Sequence, residues 1–254
     1  TLFSGAIMEG SEQPLKRAEL AMFQAKAVGR NTLRFFDAQM QAEVSAHAAM
    51  AADLREAVAK QQFLLHYQPQ VVDAGRITGV EALIRWQHPR RGMVSPAEFI
   101  PLAEESGLIL PIGQWVLETA CRQLVAWQEN PATRNLRLAI NVSARQFRQP
   151  DFVAQVQAEL LRTGADPAKL ELELTESMVL ENVEETIRKM TELKDLGVRF
   201  SMDDFGTGYS SLSYLKRLPL DQIKIDQSFV RDIATDQNDA AIVQTIIAMA
   251  QSLG

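Results

Sequence analysis

Leu170-Glu171-Leu172-Glu173-Leu174 alternates strictly between leucine and glutamate. A β-strand repeats every two residues, so the leucines share one face of the strand and the two glutamates share the other. Parallel strands that are covered by helices normally read as continuous apolar runs. This stretch therefore predicts a sheet that packs one face against helices and has a polar, functional face on the other side.

The same alternation occurs in the other predicted strands, which lie near 63–72, 77–86, 136–142, 198–204 and 221–226. If the apolar residues face helices, one polar side chain from the late part of each of five strands points the other way. These residues are Glu81, Asn141, Glu173, Asp203 and Lys224. Each alone has a structural explanation, such as a buried ion pair or a loop cap. For all five together, this explanation would require a buried polar cluster without a function. Each unpaired charge in such a cluster would destabilise the fold by about several kcal/mol.

The order of elements predicts the fold class. The first two strands flank Asp73-Ala74-Gly75-Arg76, a hairpin turn that makes them antiparallel. After them, strands alternate with helices, which are predicted near 96–106, 112–128, 150–163, 182–196, 210–217 and 239–253. Such alternation is typical of a parallel α/β sheet, and most simply of a TIM-like (β/α)8 barrel with an antiparallel first strand. Barrels of this class carry their sites at the strand ends.

Composition excludes several classes of partner. The net charge of the 254 residues is −6, which gives no electrostatic footprint for polymeric nucleic acid. No apolar stretch is long enough to cross a bilayer and no signal peptide is visible, so we expect no direct membrane contact. The single cysteine, Cys121, suits core packing in a reducing compartment. We expect a cytoplasmic protein, and the sequence leaves open whether the parent protein is tethered to a membrane.

The loop that follows the fifth long strand has two readings. Asp203 and Asp204 are adjacent where that strand ends, and Gly206 and Gly208 open the backbone after them. On this stretch alone, a solvated turn and a metal site are equally plausible. The polar residues of the other strands favour the metal. Oxygen ligands without clustered His or Cys select Mg²⁺ or Mn²⁺, and two adjacent aspartates would allow two ions.

Several motifs resemble the EAL-domain family over about residues 52–254. The signature is Glu81-Ala82-Leu83 followed by Arg85-Trp86. Further matching segments are Tyr67-Gln68-Pro69, His88-Pro89, Asn141-Val142-Ser143, Glu173-Leu174-Thr175-Glu176, Asp203-Asp204-Phe205-Gly206 and Lys224-Ile225-Asp226. The resemblance implies hydrolysis of one phosphodiester bond of cyclic di-GMP to linear pGpG, in bacterial second-messenger signalling.

The resemblance also implies a role for individual residues. Glu81, Asn141, Glu173 and Asp203 would be the primary metal ligands, and Asp204 would bind a second ion. Lys224 would assist the attacking water and Glu176 would hold the loop after Asp204. The substrate contacts would be Gln68, Leu83 and Arg85. Members of the family often form homodimers through the loop after Asp204, so the resemblance implies that this chain could form such a homodimer.

The amino-terminal part is interpreted separately. Residues 16–31 resemble the end of a GGDEF (diguanylate cyclase) domain, but the signature residues of that domain are absent. We therefore interpret residues 1–33 as a remnant of such a domain without cyclase activity. Residues 34–58 carry one apolar stripe and predict a connector helix, with a coiled-coil stalk as the weaker alternative. Residues 59–254 form the predicted phosphodiesterase domain.

The end of the sequence departs from the family pattern. An EAL domain has two further strands, one with a glutamate at the metal site and one with a glutamine near the substrate, and neither follows here. We expect the natural protein to continue after Gly254. Two rival functions stay open: an inactive EAL domain that senses cyclic di-GMP, and a metal-dependent lyase or aldolase. The sensor is disfavoured because every visible ligand position is filled, and the lyase because the Glu81-Ala82-Leu83 context does not suit it.

Overall fold

The structure, a computed structural model, describes residues 15, 17–19, 21, 22, 26, 35–72, 75–206 and 212–253. The chain divides into two compact units, Thr1–Lys60 and Gln61–Gly254. The turn residues Asp73 and Ala74, most of the GGDEF-like segment and the loop residues 207–211 lie outside the described residues. The predictions made for them, including the homodimer through that loop, stay predictions.

The first unit contains helix α1, Ala38–Lys60, where a connector helix was predicted. Leu54 and Ala57 on this helix are fully buried, so the apolar face of the helix is buried near its carboxyl end. The division of the chain into a remnant, a connector and a phosphodiesterase domain stays a prediction. Among the described residues, no helix combines the length and hydropathy that a bilayer span requires.

The second unit is built on a sheet with the strand order β1-β2-β4-β5-β6-β7, and β3 pairs with the carboxyl-terminal end of β2. Strand β1 is antiparallel to β2, and every later neighbour along this order is parallel. The strands are β1 Phe63–Val72, β2 Arg76–His88, β3 Gly92–Val94, β4 Arg137–Asn141, β5 Leu170–Thr175, β6 Arg199–Phe205 and β7 Gln222–Ile225. The predicted α/β class with an antiparallel first strand is confirmed.

Helices connect the parallel strands, as predicted. They are α2 Pro96–Ser106, α3 Ile109–Gln128, α4 Ala144–Phe147, α5 Phe152–Thr163, α6 Glu176–Glu181, α7 Val183–Asp195, α8 Leu212–Leu215, α9 Gln227–Arg231 and α10 Gln237–Leu253. The core lies between these helices and the apolar strand faces. Leu170, Leu172 and Leu174 are fully buried there with Phe200, as the alternation of β5 predicted. Cys121 is buried in the same core, which confirms its packing role and raises the pKa of its thiol to about 12.

Some short elements were not predicted from the sequence. Strand β3 makes seven strands where six were predicted, and α4, α6 and α9 follow directly on the ends of β4, β5 and β7. Four to six residues are too few to show an apolar period, but capping explains two of these helices. The Ser143 side chain accepts a hydrogen bond from the Gln146 amide, and Asp226 does the same for Ser228. These turns fix the backbone around the strand ends.

Candidate active site

The ends of four neighbouring strands bring the predicted polar residues together. Along the sheet, Glu81 lies opposite Ala139, Asn141 opposite Glu173, and Thr175 opposite Asp203. Opposite residues in a sheet present their side chains on the same face. The pairing therefore carries one polar face from β2 across β4 and β5 to β6. The convergence that the alternation predicted is present.

A lysine ammonium stands at the centre of this face. Lys224 Nζ is 3.1 Å from Glu81 Oε2, 2.8 Å from Glu173 Oε2 and 3.2 Å from Asp203 Oδ2. Asn141 Nδ2 donates a hydrogen bond of 2.8 Å to the other oxygen of Glu81. We call Glu81, Glu173, Asp203 and Lys224 the carboxyl-end cluster. Among the described residues, no three His, Cys, Asp or Glu side chains stand at metal-ligand spacing, and the ammonium lies among the three carboxylates instead.

The carboxyl-end cluster carries three acids against one base. Burial raises the pKa of Glu173 to about 8, and the nearby Glu81 and Asp203 add to the shift against the pull of Lys224. Burial lowers the pKa of Lys224, but the hydrogen bond and charge of Glu173, with Glu81 and Asp203, outweigh this effect and raise it above its ordinary value. The cluster therefore favours any further positive charge that reaches it.

A β-bulge aims the two adjacent aspartates. The register between β6 and β7 shifts between Met202 and Phe205, and Asp204 has a φ of +53°. In an unbroken strand neighbouring side chains point to opposite faces, so the extra residue re-aims them. Burial, the charges of Asp203 and Asp226, and a hydrogen bond with Asp226 raise the pKa of Asp204. Asp226 was not predicted as a site residue, although its place on the polar face of the last strand was a usable signal.

Glu176 contacts the backbone beyond the bulge. It follows directly on β5, is 3% exposed, and its Oε2 accepts a 3.1 Å hydrogen bond from the Gly206 amide. Gly206 has a φ of +103°, and a Cβ there would lie 3.0 Å from the Phe229 ring. A side chain at 206 would be strained and crowded, so the turn requires glycine. The contact agrees with the loop-holding role expected of Glu176.

The three predicted substrate contacts lie on the same strand face as Glu81. Gln68 on β1 is directly opposite Glu81, and Leu83 and Arg85 follow on β2 at intervals of two. Gln68 is exposed, whereas Leu83 and Arg85 are half-buried. The Arg85 guanidinium donates a 2.8 Å hydrogen bond to the carbonyl of Ile84. These residues extend the polar face sideways from the cluster, and their role in binding stays a prediction.

The donor set fits a hard divalent cation. Glu173 Oε1 is buried without a hydrogen-bond partner in the described part of the chain, so both of its lone pairs are available to further partners. Two glutamates, an aspartate and an amide oxygen are oxygen donors of the kind that Mg²⁺ and Mn²⁺ prefer. The scattered histidines do not join them: His66 is exposed on β1, and His88 Nδ1 accepts hydrogen bonds from the Arg90 and Arg91 amides.

Curated relatives resemble almost the whole chain. The bifunctional diguanylate cyclase/cyclic di-GMP phosphodiesterase MucR of Pseudomonas aeruginosa is 44% identical over 237 residues, which cover 93% of this chain and 34% of that protein. The cyclic di-GMP phosphodiesterase PdeR of Escherichia coli is 40% identical over 239 residues, 94% of this chain and 36% of that protein. The chain thus spans about a third of the length of these relatives.

Solved structures and a family model give the same result. The PaMucR phosphodiesterase, solved as a c-di-GMP complex, is 45% identical with a TM-score of 0.78, covering 81% of this chain and 83% of that one. The EAL enzyme Bd1971, bound to cAMP and cyclic di-GMP, is 30% identical with a TM-score of 0.78, covering 98% of this chain and 65% of that one. The model of the EAL domain matches residues 51–254. The chain belongs to the EAL-domain family.

Proposed function

We propose that this chain hydrolyses one phosphodiester bond of cyclic di-GMP and releases linear pGpG. The observation that carries the proposal is the carboxyl-end cluster, where three carboxylates surround one ammonium at the strand ends. Relatives that are named cyclic di-GMP phosphodiesterases, and the PaMucR complex with c-di-GMP, support this substrate. The inactive sensor is not favoured, because each family ligand position within the sequence holds a ligating residue.

Metal binding is part of the proposal. Glu81, Asn141, Glu173 and Asp203 would hold one Mg²⁺ or Mn²⁺, and Asp204 would hold a second. Such ions, when bound, supply Lewis-acid stabilisation of phosphate charge and lower the pKa of water. The re-aimed Asp204 supports a second position, because its carboxyl group is hydrogen-bonded to that of Asp226, which follows β7.

The residues of the chain position the reacting atoms. Water adds its hydroxyl to phosphorus, and the bond from phosphorus to the ribose 3′ oxygen breaks while that oxygen takes up a proton. Lys224 has a raised pKa and stays protonated, so it donates a hydrogen bond and charge to the reacting oxygens and does not act as a base. Arg85 would hold the second phosphate with its guanidinium fork, beside Leu83 and Gln68. Glu176 would keep the loop after Asp204 in place.

A single assay separates the candidate functions. The full chain is incubated with cyclic di-GMP and Mg²⁺ or Mn²⁺, and the nucleotides are resolved by reversed-phase chromatography. Linear pGpG that disappears when EDTA is added supports the proposal. Bound but intact cyclic di-GMP would support the sensor, and neither binding nor cleavage would reject both. The cytoplasmic location and the homodimer through the loop after Asp204 stay predictions.

A further inference from the structure

Four buried side-chain atoms have no hydrogen-bond partner within the described part of the chain: Glu171 Oε1, Glu173 Oε1, Arg199 Nε and Ser201 Oγ. All four belong to the neighbouring strands β5 and β6. Glu171 lies opposite Arg199 there, and Glu173 lies opposite Ser201. We call these four residues the interior quartet. Their shared position on one face points to a common cause.

The atoms of the interior quartet are complementary in chemistry. Arg199 Nε–H and the Ser201 hydroxyl are donors, whereas the two glutamate oxygens are acceptors. Neighbouring strands are about 4.8 Å apart, so side chains on opposite positions lie close together. Direct bonds are nevertheless not formed: Arg199 Nε is 3.7 Å from Glu171 Oε2, which is beyond hydrogen-bond range. Each atom left without a partner destabilises the folded state, because it loses its bonds to water and gains none in return. An ordered water with two to four polar partners is the usual solution to such an arrangement.

We propose that Ser201 is a positioning residue for Glu173, and that one ordered water joins the Ser201 hydroxyl to Glu173 Oε1. This proposal rests on the proposed function, because it concerns Glu173 as a metal-holding carboxylate. Lys224 already holds the other oxygen of Glu173 at 2.8 Å. A second anchor on Oε1 fixes the plane of the carboxylate, and with it the direction in which its lone pairs face a cation.

A purely structural role for Ser201 makes a different prediction. Ser201 is 0% exposed, and a buried hydroxyl with no partner destabilises the folded state. If the contact is dry, Ser201→Ala would leave stability equal or higher and would not affect metal binding. If the hydroxyl anchors Glu173 through water, the same substitution weakens metal binding even though no metal ligand has changed.

The test is a titration of the full chain with Mn²⁺ after removal of bound metal, followed by the electron paramagnetic resonance signal of free Mn²⁺. We expect Ser201→Ala to weaken Mn²⁺ binding about tenfold, the usual loss for a residue that orients a ligand. The kcat for cyclic di-GMP should fall by a similar factor, with KM within about twofold. Ser201→Thr keeps the hydroxyl and should restore most of the Mn²⁺ affinity.

Ser106→Ala is the matched control, because the Ser106 hydroxyl donates to the Leu102 carbonyl within helix α2, outside the carboxyl-end cluster. It should leave Mn²⁺ affinity and kcat unchanged. If Ser201→Ala does not fold, Ser201→Cys, which is similar in size but a weak donor, replaces it with the same expected loss.

Wild-type affinity in Ser201→Ala, while Glu173→Gln loses Mn²⁺, would overturn this proposal alone. A wild-type chain that binds no Mn²⁺ would overturn the proposed function, and this proposal with it. A crystal structure at a resolution that shows water should place one within about 3.2 Å of both oxygens. A site without that water would also overturn the proposal.

Discussion

The strands of the sheet carry a charged cluster at each end, and the two clusters balance their charges differently. At the carboxyl ends, Glu81, Glu173 and Asp203 share one ammonium, that of Lys224. Three acids against one base leave an excess of negative charge that the described protein does not neutralise. An excess of negative charge favours a bound cation, which supports the proposed metal site.

The cluster at the amino ends has equal numbers of acids and bases. Asp221, directly before β7, accepts 2.8 Å bonds from Lys194 and a 2.9 Å bond from the Phe200 amide, and lies 3.2 Å from Arg199. Glu171 lies on the other side of Arg199. Two acids thus face two bases. We call these four residues, Glu171, Lys194, Arg199 and Asp221, the amino-end cluster.

We infer that this difference separates a site for chemistry, as proposed above, from a site for stability. α/β barrels place their active sites at the carboxyl ends of their strands and use the opposite end for stability. The same alternating strands supply both clusters, so residue type alone does not distinguish them. The charge balance does, because a cluster with an excess of one charge attracts a ligand of the opposite charge, whereas a cluster with balanced charges does not. Each cluster can therefore be broken separately, with different consequences.

The substitution Asp203→Asn should have the largest effect, which is a loss of hydrolytic activity. The substitution removes one charged ligand from the carboxyl-end cluster, and we expect kcat to fall at least about 1,000-fold, or about 4 kcal/mol. The folded state should not lose stability, because the cluster has an excess of acids. Initial rates of pGpG formation and urea unfolding of the same preparations measure the two effects. A variant that keeps turnover within about tenfold of wild type would show that Asp203 is not a metal ligand.

The next effect tests whether the carboxyl-end cluster depends on the loop that follows it. Glu176→Ala removes the acceptor of the Gly206 amide, which should misplace Asp204 and lower kcat about 100-fold. Glu176→Gln keeps an acceptor oxygen and should retain more activity than Glu176→Ala. A crystal structure of Glu176→Ala with Gly206 and Asp204 unmoved would contradict this account.

The third prediction applies the complementary substitution to the amino-end cluster. Asp221→Asn leaves Lys194 and Arg199 without their shared carboxylate, and we expect the free energy of unfolding to fall by about 2 kcal/mol. This figure is below that for a fully buried pair because both cations are about a third exposed. The kcat should stay within about twofold of wild type.

Glu192→Gln, which breaks an exposed pair with Arg188, is the control for that experiment and should cost less than about 1 kcal/mol. If Asp221→Asn abolished hydrolysis in a folded protein, the separation between the two clusters would be wrong.

Strand alternation was enough to predict much of the fold and site. A period of two depends on strand geometry alone, so Glu81, Glu173 and Lys224 could be placed on one face before any contact was known. The α/β class followed from the order of strands and helices. Family motifs added roles that geometry does not carry, such as that of Glu176.

Features that depend on contacts between residues far apart in the sequence could not be predicted. The bulge at Asp203 and Asp204 depends on the register with β7, which local sequence does not determine. The partnership of Asp204 with Asp226, and of Asp221 with Lys194, joins residues from separate elements. The period of two places Asp226 on the polar face, but local sequence does not show which residue of another element each member of these pairs contacts.

The smallest predicted effect is a pH dependence of stability that arises from the carboxyl-end cluster. Burial raises the pKa of Glu173 from 4.5 to about 8 in the folded, metal-free protein. The folded state then binds a proton more tightly than the unfolded chain, so this contribution is complete below pH 4.5 and is lost as the pH rises through about 8. We expect the free energy of unfolding in EDTA to fall over this range by at least about 1.4 kcal/mol more than in Glu173→Gln. Urea unfolding at intervals of one pH unit measures the slope. Mn²⁺ should abolish the difference, because a bound cation favours the ionised carboxylate. Equal slopes for wild type and Glu173→Gln in EDTA would mean that Lys224 already neutralises Glu173, and that the cluster does not depend on a metal for its balance.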